Sequence, residues 1–123
     1  MNKPQALYQF WAGFGLNAFD ETSVPQNVPL PYLTYESATG ALDDVLSLSA
    51  SLWYRSTGWA EIEAKTQEIA AVLPAVGFYR AEIDGGYLWI NRGKPFAQRM
   101  DDPNDPGVRR MVINIQAEFL TAD

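Results

Sequence analysis

The sequence predicts an α+β fold, a mostly antiparallel β-sheet with two helices packed on its apolar face. Three observations predict it. Several segments alternate apolar and polar residues with period two, two segments carry helical spacing, and a glycine turn joins two of the alternating segments as a hairpin. A chain of 123 residues that is 47% hydrophobic is the size of one domain around one core. No internal repeat or second domain is apparent.

Residues 3 to 15 place Leu7, Phe10, Trp11 and Phe14 at helical spacing, with Asn2 as a cap, Pro4 in the first turn and Gly15 as a stop. The segment DETSVPQNVPLP, about 20–31, carries three prolines and reads as an extended connector, with a strand following at about 32 to 37. In DVLSLSASLWYR, Leu46, Leu48, Ala50, Leu52 and Tyr54 face one way, while Trp53 and Arg55 fall on the other face with Val45 and three serines.

Ser56 or Thr57 is placed to cap a second helix beginning near Trp59, along which Ile62, Thr66, Ile69 and Leu73 recur until Pro74 ends the pattern. GFYRAEIDGGYLWINRG reads as a hairpin turning at Asp84-Gly85 or Gly85-Gly86. Its core face holds Ala81, Ile83, Leu88 and Ile90. Its other face holds Phe78, Arg80, Glu82, Tyr87 and Trp89, an aromatic set that implies a cover. A last strand, about 108 to 120, sets Met111, Ile113, Ile115, Ala117 and Phe119 on the core side. Between hairpin and last strand, residues 93–107 read as a second extended connector, in which Asp-Pro and Asn-Asp-Pro-Gly make turns. Phe96 and Met100 are apolar residues that those turns leave unexplained.

A net charge of -6 is the wrong sign for a protein that binds by neutralising phosphates. With neither cysteine nor histidine, disulfides, thiolate nucleophiles and histidine-based catalysis or metal ligation are excluded. The carboxylates offer no spacing that forces them together, and an EF-hand frame starting at Asp102 fails at Pro106 and Ile113. No catalytic, cofactor-binding or metal-binding residues are assigned, and the chain is expected not to be an enzyme. The N-terminus lacks a signal-peptide h-region and no apolar run reaches membrane-spanning length, so a soluble cytoplasmic chain is expected.

The stretches FWAGFGLNAFDETSVP, PYLTYE, SLWYRSTGWAEIEAKTQEI and GGYLWINRGKPFAQRMDDPNDPGVRRMVINIQAEFLT carry a resemblance across nearly the whole chain. The sequence resembles the tail terminator, or head-tail joining (minor capsid), proteins of phages and prophages of Gram-positive bacteria. The resemblance implies a small α+β virion protein, usually a homohexameric ring, that caps the tail tube, stops its polymerisation and meets the head-completion or stopper protein. It implies assembly in the host cytoplasm and then residence at the head-tail junction of a phage or phage-tail-like particle. The expected partners are other copies of the chain, the tail tube protein and the head-completion protein. DNA would be a passenger that an acidic lumen does not hold, and no membrane is involved.

Interfaces enrich aromatics, methionine and arginine. On that ground Trp53, Arg55, Trp89, Phe96, Arg99, Met100, Arg109 and Arg110 are candidate subunit or tube interface residues, and Asp101 joins them for polar register. Residues 93–107 are expected to form an arm anchored by Phe96 and Met100, with Arg99 and Asp101 giving polar register and Arg109 or Arg110 salt-bridging within or between subunits. The alternative is a small non-catalytic ligand- or nucleic-acid-binding domain, with Arg80, Arg92, Arg99, Arg109 and Arg110 on one face beside Trp89.

Overall fold

The structure, a computed structural model, describes residues 1–123. Its chain order is α1 (Lys3–Ala12), β1 (Asn17–Asp20), β2 (Tyr32–Tyr35), β3 (Leu46–Arg55), α2 (Ala60–Val72), β4 (Tyr79–Ile83), β5 (Gly86–Asp101) and β6 (Val108–Leu120). The strands form one six-stranded sheet in the order β1-β2-β3-β6-β5-β4. The sheet is mixed: β1 runs parallel to β2 and every other pair is antiparallel.

Alternation decides which face of each strand is buried. Leu48, Ala50, Leu52 and Tyr54 of β3, Leu88 and Ile90 of β5, and Met111, Ile113, Ile115, Ala117 and Phe119 of β6 all enter one hydrophobic cluster. Leu7, Phe10 and Trp11 of α1 and Ile62 and Ile69 of α2 enter the same cluster, so the residues at helical spacing meet those at period two. Phe10 makes edge contacts with Trp11 and Phe14 and tilts onto Tyr79, tying α1 to β4.

The expected N-terminal cap forms as a reciprocal box. The Asn2 side chain accepts from the Gln5 N–H, and the Gln5 side chain accepts from the Asn2 N–H, each at 2.9 Å. The helix stops earlier than its spacing predicts, with Gly13 rather than Gly15 at the C-cap, yet Phe14 still reaches the core. At the start of α2 the expected side-chain cap is absent. Trp59 occupies that position, and the Ser56 hydroxyl instead accepts from the Gly58 N–H at 3.2 Å. The other end of α2 is capped from the sheet: the Arg92 guanidinium donates to the Leu73 and Ala70 carbonyls, placing a cation at the negative end of the helix dipole.

The hairpin turns at Asp84-Gly85, where Gly85 adopts φ 82° and Gly86 opens β5. A Cβ on Gly86 would lie 1.9 Å from the Leu120 carbonyl oxygen, so only glycine allows the two backbones to approach this closely.

The two connectors also depart from their sequence expectations. Asp20 ends a short strand instead of opening the connector, which therefore spans 21–31. More consequentially, 93–107 is not one extended connector. β5 runs on to Asp101, and only residues 102–107 form the loop to β6. The apolar alternation breaks there because Gly93, Lys94, Pro95 and Phe96 bulge out between two ladder positions, Arg92 opposite Ile115 and Ala97 opposite Ile113. Asn114 fastens the bulge, with its Nδ2 donating to the Pro95 carbonyl at 2.8 Å and its Oδ1 accepting from the Ser49 hydroxyl at 3.0 Å.

Candidate assembly surface

The face of the sheet turned away from the cluster is built by the residues between the core positions. Strand registers align Tyr32, Trp53, Arg110 and Met100 in one row across β2, β3, β6 and β5. Trp53 is fixed within it. Its indole N–H donates to the Thr34 hydroxyl at 2.9 Å, and the Arg110 guanidinium lies 4.8 Å from its ring centroid. Arg110 is steered in turn by donating from Nε to the Ser51 hydroxyl at 3.1 Å. Met100 stands exposed at the end of the row. Phe19 of β1 reaches Tyr32 edge-on at 5.9 Å, extending the aromatic character to the far margin.

A second aromatic group occupies the other end of the same face. Trp89 stacks on Phe78 at 4.1 Å with 16° between the rings, and Arg80 lies over Tyr87 at 5.1 Å. Phe78 and Tyr87 are exposed, and the Trp89 indole N–H is shielded without an acceptor. Between the two groups the face is polar, carrying Ser47, Asn91, Asn114 and Gln116. The face therefore has two sticky ends and a hydrophilic middle.

The remaining candidates lie elsewhere. Arg99, Asp101 and Arg109 fall on the core-facing alternation, beyond the end of the core, where Arg99 and Asp101 are exposed. Trp59 sits between two of them, 4.8 Å from the Arg99 guanidinium and 5.4 Å from that of Arg109. Arg99 also pairs with Glu63 at 2.8 Å, and Arg109 donates to the Pro106 and Thr57 carbonyls. These arginines tie α2 and the 102–107 loop to the sheet, Arg99 through its ion pair with Glu63 and Arg109 through neutral carbonyls.

Phe96 is half-buried against the core with Arg92 over its ring at 5.3 Å. It anchors the bulge to its own domain. Arg55 pairs with Asp105 at 3.2 Å, an exposed bridge of small energetic weight. The Gly107 N–H bonded to Asp105 holds that carboxyl below the usual aspartate value, with the Arg55 contact as a smaller cause.

Of the nine candidates, the fold thus brings Trp53, Arg110 and Met100 together and sets Trp89 at the other end of their face. Phe19 and Tyr32 were missed because their place depends on the β1–β2 pairing, which no local pattern announces. In sequence Trp59 marks only a helix start. No group of three or more acidic side chains comes together as a metal site would require, and no helix is long and apolar enough to cross a membrane.

Neither a protein-family model nor a curated protein matches the chain. Among solved structures it is similar to a chain of the virion of a native gene transfer agent particle. The two share a fold. The match has a TM-score of 0.53 and covers 88% of this chain and 81% of the virion chain, at 19% identity. Because it spans most of both chains, the likeness concerns the whole sheet-and-helix architecture rather than one motif.

Proposed function

We propose that this chain is a structural protein of a phage or phage-like particle, and specifically a tail terminator. Copies would form a ring, a homohexamer in this reading, that caps the tail tube, stops its growth and receives the head-completion protein. The observation that carries the proposal is the fold shared with a virion chain over 88% of this sequence. The motif resemblance and the two aromatic groups on an uncovered sheet face support it independently. An acidic chain would also line a channel from which DNA slides without sticking, since the net charge is -6.

The nucleic-acid alternative needs its five arginines free on one face. Arg92 is engaged with the carbonyls of α2, Arg99 and Arg109 with Trp59, Arg80 with Tyr87 and Arg110 with Trp53. They are spread over both sides of the sheet, so no basic stripe forms.

The terminator role is tested by deleting the chain from its own particle and imaging the products by electron microscopy. Tubes of uncontrolled length without heads are the expected outcome. Particles with tails of normal length and attached heads would refute the role.

A further inference from the structure

The sheet leaves two stretches of edge bare. β4 covers β5 only at residues 86–90, so beyond the bulge Ala97–Asp101 pairs with β6 on one side and with nothing on the other. At the opposite margin β1 pairs only with β2. Outside the sheet ladder, residues 97–101 make no backbone hydrogen bond, and in β1 only the Asp20 carbonyl does, accepting from the Ser23 N–H at 2.9 Å.

The two edges lie at the same level. Following the registers across the sheet, Asn17 is in line with Met100 and Asp20 with Ala97. Bare edges are templates for another strand, and proteins blunt them with lysine, proline and bulges. Here such guards stand at both ends of the β5 stretch, the bulge with Lys94 and Pro95 before it and Asp102-Pro103 after it. The unguarded stretch between them, Ala97–Asp101, is one residue longer than the four-residue β1.

We infer that the Ala97–Asp101 edge of one copy pairs with the Asn17–Asp20 edge of the next, so that the sheet continues from subunit to subunit. The pair orientations within the sheet make β1 run opposite to β5. Rotation about an axis along the strands preserves strand direction, so the next copy's β1 arrives antiparallel to β5. Two different edges meeting this way give a heterologous contact that closes into a ring. The inference deepens the ring reading and rests on it for that rotation.

The shared level selects one register: Met100 lies opposite Asn17 and Gln98 opposite Phe19 on the outward face, while Arg99 lies opposite Ala18 and Ala97 opposite Asp20 on the inward face. Asn17 and Met100 are both exposed.

The chain has no cysteine, so an Asn17→Cys/Met100→Cys double variant carries only the two thiols of interest. Directly opposite residues in an antiparallel ladder have Cα separations of about 4.5–5.5 Å, within disulfide reach. Oxidation of the double variant is expected to give a reducible ladder of multimers ending at the ring's copy number, which neither single variant gives. Multimers of native size without a ladder would overturn the edge pairing and leave the ring standing. Dimers from Met100→Cys alone would overturn it in favour of β5 pairing with itself. A monomer at every concentration, with no cross-link, would overturn both the pairing and the ring. Met100→Lys, at an exposed site, is expected to weaken self-association roughly tenfold with an unchanged circular dichroism spectrum; association at the unaltered strength would contradict the pairing.

Discussion

Phe119→Ala is expected to lower the unfolding free energy by about 3–5 kcal/mol, read from the denaturation midpoint at constant slope. Phe119 is fully buried on β6, the strand that joins β3 to β5, and lies opposite Leu88. Lys3 of α1 passes over its ring, 5.5 Å from the centroid, while donating to the Gly40 and Asp123 carbonyls. Truncation would leave a void that this ring of contacts cannot collapse to fill. Small domains have only about 5–15 kcal/mol of stability, so a large share would be lost. A midpoint left unchanged would contradict the placement of Phe119 in the core.

Gly93→Ala should reach both fold and assembly. A Cβ at this position would stand 2.8 Å from the Asn114 carbonyl carbon and 2.9 Å from its oxygen, closer than real Cβ contacts come. Relief by a side-chain swing is closed off, because the clashing atoms include backbone of the central strand β6. The expected cost is about 2–3 kcal/mol. The bulge must also shift, and with it the β5 edge at residues 97–101, so self-association should fall and amide exchange at those residues should quicken. Gly58→Ala is the matched control, since nothing lies within 4 Å of its added Cβ. Equal stability and association of the two variants would show that the bulge does not set the edge.

Where burial separates two faces of one element, the sequence made the element readable. Met111, Ile113, Ile115, Ala117 and Phe119 all reach the core as their alternation predicts, as do Ile62, Thr66, Ile69 and Leu73 at helical spacing. Reading fails where structure is decided by partners distant in the chain. β1 is four residues long and exists by pairing parallel to β2, which follows only after the connector 21–31. The second half of β5 inverts the usual code: past the end of the core, Arg99 and Asp101 occupy the inward positions and Met100 the outward one. The glycine and proline that signalled a connector mark a bulge within a continuing strand.

The candidate assembly surface was legible to the same extent. Trp53 and Trp89 stood out as bulky aromatics at outward positions of well-patterned strands. Their grouping with Tyr32, Arg110 and Met100 required the registers of three strand pairs. Arg99 and Arg109 looked available because Trp59, which occupies both, lies 40 and 50 positions away in sequence.

The central claim is that copies of this chain assemble with one another into a closed ring. Its most direct test is the molar mass of the purified chain by light scattering across a range of concentrations. The account predicts a fixed multiple of the 13.7 kDa chain mass, six for a hexamer, that stays constant on further concentration because the ring has no open end. A mass of 13.7 kDa at every concentration would contradict it, as would a mass that grows without limit.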